Sequence, residues 1–139
     1  MSIEYRIDSE TGIVHHGFTG EIALADLERH WRRLLADPEL PEPLFMFADM
    51  RDCHVLLDGN ETHYLAHEVI EPLLNGRRWV SSVVVGSTCD YGVTKQFIAY
   101  SGQFGETEVF MELHEAVCWL ADRRELRRPA VCPEPDGDR

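Results

Sequence analysis

Apolar and polar residues alternate at the beginning of the chain. Ile3, Tyr5 and Ile7 are separated by polar residues, which is the period of a half-buried β-strand. A turn-forming run over residues 8–12 follows, and the next alternating stretch predicts a second strand over 13–19. The pattern therefore predicts that the fold opens with a β-hairpin.

Beyond residue 23 the apolar residues recur at the spacing of a helix. The apolar face of this first predicted helix consists of Leu24, Leu27, Trp31, Leu34 and Leu35. Asp37-Pro38 ends the helix, because the residue before a proline avoids helical geometry. A continuous apolar run over 44–48 then predicts a central strand covered on both faces, and a loop is predicted over 49–57.

A second helix and another apolar strand are predicted in the middle of the chain. Asp58 and Glu61, three residues apart, match the capping box that opens a helix. Gly76 is the residue type that ends one. The valine-rich run over 80–85 predicts a second central strand.

The C-terminal part predicts two more helices around a short strand. Asp90 or Thr88 can cap a third helix that ends at Gly105. A short strand is predicted over 107–110, and a closing helix is predicted from about residue 112 to 123.

This order of elements, ββαβαβαβα, predicts an α/β fold with a mixed, mostly parallel five-stranded sheet flanked by four helices. The two apolar strands, 44–48 and 80–85, are expected to be neighbours in the sheet centre. A single domain is expected over residues 1–123. Residues 124–139 are rich in proline and charge, and we expect them to form a disordered tail.

Charge and composition narrow the classes of partner. The net charge is −12, with 13 basic against 25 acidic residues, so the surface as a whole repels nucleic acid and anionic membranes. No apolar run approaches the roughly 20 residues that span a bilayer, so we do not expect an integral membrane protein. The beginning of the chain lacks the apolar run of a signal peptide, and we expect a cytoplasmic protein.

Polar side chains are concentrated where the two predicted central strands end. In open α/β sheets ligands bind outside the carboxyl ends of the strands, which makes these residues candidates for ligand binding. The candidates are Asp49, Arg51, Asp52, His54, Ser87, Thr88, Asp90 and Tyr91. The same residue types also cap helices and form ion pairs in ordinary surface loops, so a purely structural role is the alternative.

Two other clusters contain residue types that could bind a metal or react. His63, His67 and Glu71 recur at helical spacing and could chelate a metal, but the HExxH pattern is absent, and we predict no metal site and no cofactor. Cys53 and His54 could form a thiol–imidazole pair. Residues adjacent in sequence rarely point correctly for that chemistry, so we predict no catalytic residues.

Four segments resemble a known group of proteins. They are IEYRID over 3–8, GFTGEIALADL over 17–27, FMFADMRD over 45–52 and VFMELHEAVCWL over 109–120. Together they resemble the SpoIIAA-like STAS/SEC14 group of small bacterial proteins, which are related to the anti-anti-sigma-factor fold and to lipid-binding SEC14 domains. The resemblance covers roughly residues 1–122 and implies a SpoIIAA-like fold.

The resemblance also shows a departure at the phosphorylation site of the anti-anti-sigma branch. There an aspartate follows the central strand, and Asp-Ser-Ser-Gly, with its phosphoacceptor serine, begins the second helix. This chain keeps Asp49 and Asp58 at similar places but has Gly-Asn-Glu over 59–61. Thr62 is a poor substitute, so we do not expect a phosphorylation switch.

These observations favour a non-enzymatic regulatory or binding module for a protein partner or for a small or lipidic ligand. The alternative is a small enzyme that uses the loops 49–54 and 86–91. Tyr64, Leu74 and Ile98 lie toward the edges of the apolar faces of the second and third helices. If these residues are exposed, they predict a homodimer or a protein partner bound through helices two and three.

Overall fold

Five strands form one sheet in the order of the chain. The computed structural model describes residues 2–127, and its strands are β1 (Ser2–Ile7), β2 (Ile13–Ala23), β3 (Leu44–Leu56), β4 (Trp79–Val85) and β5 (Gly105–Phe110). β1 is antiparallel to β2, and all other neighbours are parallel. β3 and β4 pair with each other inside the sheet, which confirms the predicted mixed sheet and its centre.

The helices lie on both faces of the sheet. They are α1 (Leu24–Leu35), a second helical unit, α4 (Thr88–Ser101) and α5 (Leu113–Arg127); the second unit joins α2 (Gly59–Tyr64), a π-helical stretch (Leu65–Ile70) and α3 (Glu71–Leu74). α5 continues past the predicted end at residue 123, and Arg124 donates from Nε to the carbonyl oxygen of Thr11 at 2.7 Å. Residues 128–139 of the predicted tail lie outside the described residues. No helix within 2–127 is long and apolar enough to cross a membrane.

β3 is much longer than its apolar run, and the loop predicted over 49–57 is wrong for most of its length. β2 also continues to Ala23, and its last residues pair with the second half of β3. The register shifts where Gly17 pairs with Asp49 but Thr19 pairs with Asp52, so β3 contains one extra residue there. Such a bulge changes which residues of a strand face the core.

Two apolar layers hold the sheet between the helices. The larger layer lies under α1, α4 and the second helical unit, and the stacked indoles of Trp31 and Trp79, 5.2 Å apart, lie within it. The smaller layer lies under α5 and is formed by Phe45, Val80 and Leu120. Both faces of β4 and of the first half of β3 are therefore mostly buried, as their mainly apolar sequences indicate.

The apolar surface expected on helices two and three is mostly covered. Leu74 is buried and Ile98 packs against the larger layer, while Tyr64 remains 38% exposed with its hydroxyl near Glu28. Among the residues whose burial the structure describes, the other exposed large apolar side chains are those of Leu56, Met111, Leu113 and Val117. The second and third predicted helices correspond to the second helical unit and α4. A homodimer through them therefore remains a prediction, with Tyr64 as its main exposed apolar residue.

Candidate functional site

Three of the predicted site residues meet where β3 ends and α4 begins. The Asp90 carboxylate is buried, and its Oδ1 accepts a hydrogen bond from the backbone N–H of Val55 at 3.1 Å. Its Oδ2 accepts a hydrogen bond from Ser87 Oγ at 2.8 Å and lies 3.0 Å from His54 Nδ1. One carboxylate thus connects the end of the strand to the first turn of the helix.

The order of these contacts determines what this group can do. Ser87 is the N-cap of α4, because its Oγ accepts the backbone N–H of Asp90 at 3.1 Å, and the helix therefore begins at neither of the two predicted caps. In nucleophilic catalysis a serine hydroxyl donates to an imidazole. Here Ser87 donates to the carboxylate instead, and the His54 side chain, which is 69% exposed, contacts the same carboxylate oxygen. The geometry joins α4 to β3 but does not place the imidazole as the acceptor of the hydroxyl proton.

The remaining predicted residues do not join this group. Arg51 makes a two-pronged ion pair with Asp49 at 2.8 and 3.0 Å, and this contact lowers the pKa of the Asp49 carboxyl. Asp52 and Thr88 are exposed. The Tyr91 ring is half-buried against the larger apolar layer. Of the eight predicted residues, three thus form one group, two form an ion pair, and Asp52, Thr88 and Tyr91 belong to neither.

The thiol of Cys53 is a buried apolar group. Its side chain is almost fully buried, while the neighbouring His54 is exposed, so the two are directed to different environments. Burial, together with the nearby carboxylates of Asp90, Asp49 and Asp52, raises the pKa of Cys53 to about 12. A thiol with that pKa is protonated at neutral pH and does not act as a nucleophile.

The histidines of the second helical unit pack with aromatic rings. The rings of His63 and His67 are 4.6 Å apart and both contact Tyr100, and His67 Nδ1 lies 3.1 Å from Glu71 Oε1. In the part of the chain that the structure describes, no three His, Cys, Asp or Glu side chains are grouped so as to hold a metal ion.

The first turn of α2 has the predicted capping box. Asp58 Oδ1 accepts the backbone N–H of Glu61 at 2.8 Å, and Glu61 Oε1 accepts that of Asp58 at 3.0 Å. Thr62 is completely buried, and its hydroxyl donates to the carbonyl oxygen of Asp58 at 2.8 Å. The threonine nearest to the phosphoacceptor position of the anti-anti-sigma branch is therefore shielded from a kinase in this conformation.

An apolar cavity of about 90 Å³ lies within the larger apolar layer, and the sequence gives no local sign of it. It is enclosed by the sheet on one side and by α1, α4 and the start of the π-helical stretch on the other. Its walls are formed by His16, Phe18, Leu27, Trp31, Ala48, Met50, Val55, Leu57, Leu65, Trp79, Ser81, Val83, Val93, Thr94, Phe97 and Thr107. Twelve of these sixteen side chains are apolar, as in a site for an apolar ligand.

The cavity comes closest to solvent beside Asp90. Its half-buried wall residues are Met50, Val55, Leu57, Val93 and Phe97, and all others are buried. These five belong to the end of β3, the loop after it and α4, so we place the mouth of the cavity between those elements. Since Asp90 holds the backbone of Val55, one of the candidate residues fixes one edge of this mouth.

A buried histidine pair borders the same cavity. His16 in β2 lines the cavity, and its Nδ1 lies 3.0 Å from Nε2 of His30 in α1. Among the described residues, neither His16 Nε2 nor His30 Nδ1 has a hydrogen-bond partner. Burial lowers the pKa of His16 well below its ordinary value, and burial with nearby Arg33 lowers that of His30 to about 4. Both imidazoles are therefore neutral at physiological pH.

Comparison with solved structures identifies the fold. The chain is similar to the crystal structure of an uncharacterized protein of the DUF3478 family from Shewanella loihica, which is described as having a SpoIIAA-like fold. The two share 16% identity with a TM-score of 0.53, over 86% of this chain and 92% of that one. No family model and no curated protein matches the chain. The fold is SpoIIAA-like, as the sequence resemblance implies.

Proposed function

We propose that this protein is a non-enzymatic binding module that holds a small apolar molecule in the cavity between the sheet and the helices. The cavity itself is the observation that carries this proposal. Apolar cavities inside proteins remain dry and accept apolar guests such as benzene or xenon. A volume of about 90 Å³ with a half-buried mouth limits the guest to about one aromatic ring.

The position of the mouth supports a regulatory use of binding. A longer, lipid-like guest fits only if it emerges between β3 and α4, where the wall is half-buried. α4 is held to β3 at this point through Asp90, so a guest that separates the two elements changes the surface around His54 and Ser87. Occupancy of the cavity would thus change the surface at the edge of the sheet where ligands of open α/β folds usually bind.

The three tryptophans provide a direct test. Trp31 and Trp79 line the cavity, whereas Trp119 packs on the opposite face of the sheet beside Phe110. Titration with benzene should therefore shift the indole N–H resonances of Trp31 and Trp79 in a saturable way and leave that of Trp119 unchanged. The absence of a saturable shift at both cavity tryptophans would contradict the proposal.

A cavity-filling variant is the matched control. Ala48 lies in the cavity wall, and Ala48→Leu adds about three methylene-sized groups there. The variant should fold and lose the benzene response. Val117→Leu, an aliphatic substitution at an exposed position on α5, should retain the response in full.

A further inference from the structure

The polar side chains in the cavity wall differ in their hydrogen bonding. Thr94 donates its hydroxyl proton to the carbonyl oxygen of Asp90 at 2.9 Å, and Thr107 accepts from the Trp79 indole at 2.9 Å. His16 is the only histidine among the wall residues, and none of them is charged. It is 4% exposed, and its Nε2 is closed to a water-sized molecule and has no partner among residues 2–127, so a guest in the cavity reaches this atom only with a small shift of the imidazole or its neighbours. A buried polar atom without a hydrogen bond is rare in folded proteins and destabilises them.

The histidine pair cannot satisfy this atom by itself. A single proton lies between His16 Nδ1 and His30 Nε2, which are 3.0 Å apart. If His16 donates it, His16 Nε2 is an unpaired acceptor; if His30 donates it, His16 Nε2 carries a hydrogen and is an unpaired donor. In both tautomers His16 Nε2 needs a partner, and the nature of that partner follows the tautomer.

We infer that the natural occupant of the cavity is a small aromatic alcohol whose hydroxyl pairs with Nε2 of His16. This inference rests on the proposed function and specifies its ligand. A hydroxyl both donates and accepts, so it suits either tautomer, whereas a carbonyl only accepts. An anionic group finds no positive charge in the wall and would lose its hydration on entry. The rings of Phe18, Trp31 and Trp79 line the cavity and favour a flat aromatic body.

Phenol and benzene are the matched probes, because they differ by one hydroxyl. Their dissociation constants are measured on the full chain from the indole shifts of Trp31 and Trp79. The quantity of interest is the ratio of the two constants in each protein, since phenol is also the better hydrated probe in water. His16→Phe should reduce the preference for phenol about tenfold, the size expected for one buried hydrogen bond.

His15→Phe is the control variant. His15 is adjacent to His16 in β2 but lies on the other face of the strand, with its ring 6.0 Å from that of Phe47. Its substitution should leave the phenol preference unchanged. A preference that is equal in the wild type and in His16→Phe overturns the inference while leaving the cavity proposal intact. Failure of both probes to bind the wild type overturns the proposed function as well.

A measurement on the wild type covers the case in which His16→Phe does not fold. Imidazole ¹⁵N shifts report which nitrogen carries the proton and whether it is hydrogen-bonded. Phenol should move the Nε2 resonance of His16, and benzene should not. If both probes move it equally, or neither does while both bind, the inference is wrong.

Discussion

The carboxylate of Asp90, in the first turn of α4, accepts a hydrogen bond at 3.1 Å from the backbone N–H of Val55, the next-to-last residue of β3. The contact joins residues 35 positions apart in the chain. It provides a partner for a backbone donor at the end of β3, beyond the last pairing of β3 with β4 at Met50 and Val85. The edge of the cavity mouth therefore depends on one side chain.

Asp90→Ala should destabilise the protein by about 3 kcal/mol, because it leaves the Val55 N–H and the Ser87 hydroxyl without their acceptor. Asp90→Asn should cost less, since its amide oxygen can still accept one of these hydrogen bonds. Urea unfolding measures both. His54→Ala, at an exposed position on the same carboxylate, should stay within about 0.5 kcal/mol of the wild type. Equal losses for Asp90→Ala and His54→Ala would show that the buried contacts of Asp90 contribute little.

The buried histidine pair predicts loss of stability in mild acid. The pKa of His16 and that of His30 are both lower in the folded protein than the ordinary value of about 6.5. The unfolded chain therefore binds more protons as the pH falls below about 6.5, and the free energy of unfolding decreases by up to about 1.4 kcal/mol per pH unit for each histidine. For His30 this continues down to its folded pKa of about 4.

Unfolding in urea between pH 7 and pH 4.5 tests this dependence. The double variant His16→Phe/His30→Leu should have a visibly flatter stability profile over this range, whatever its absolute stability. His114→Gln, at an exposed position on α5, should keep the wild-type slope. A double variant with an unchanged slope would exclude the pair as its source.

Two glycines near α4 should respond oppositely to the same substitution. An alanine Cβ at position 86 would lie 2.5 Å from the carbonyl oxygen of Arg51, a contact that only movement of the backbone can relieve. Gly86→Ala should therefore destabilise the protein by about 2 kcal/mol or more. At Gly92, inside α4, an added Cβ meets nothing within 4 Å, so Gly92→Ala should stabilise the helix by up to about 1 kcal/mol. Thermal unfolding of the pair measures both signs.

The cysteines should react at very different rates. Cys53 is buried and its pKa is raised to about 12, whereas Cys89 in the first turn of α4 is exposed. Iodoacetamide at pH 8 should therefore label Cys89 in the native protein and leave Cys53 unlabelled until urea is added. Mass spectrometry of the digested protein locates the label. Native labelling of Cys53 as fast as that of Cys89 would mean that the end of β3 opens readily.

The elements were predictable wherever their periodicity was undisturbed. The apolar runs of β3 and β4 and the capping box of Asp58 and Glu61 carry local signals, and the structure has all of them. The second half of β3 was missed because the extra residue near position 50 changes the alternation. Once this shift is taken into account, buried Cys53 and half-buried Val55 alternate with exposed His54 and Leu56, as in a strand.

The candidate site was predicted only in part, for a different reason. The rule for sheet edges placed Asp90, His54 and Ser87 at one edge of the sheet, and their side chains do contact each other, while their role in ligand binding remains a prediction. The cavity results from the way four strands and three helices pack, so no local window of sequence contains it. His16 and His30 are 14 positions apart, on a strand and a helix, and only the packing of α1 on β2 brings them into contact.

The sequential strand order also affects how the chain folds during its synthesis on the ribosome. Each new strand adds to the edge left by the previous one, so a growing chain can extend its sheet as synthesis proceeds. α5 is synthesised after all five strands, and until then the face that carries Phe45 and Val80 has no cover. Until residues 113–127 have been synthesised this face remains open to water and to other apolar surfaces, so α5 is the element that ends the exposure of the second apolar layer.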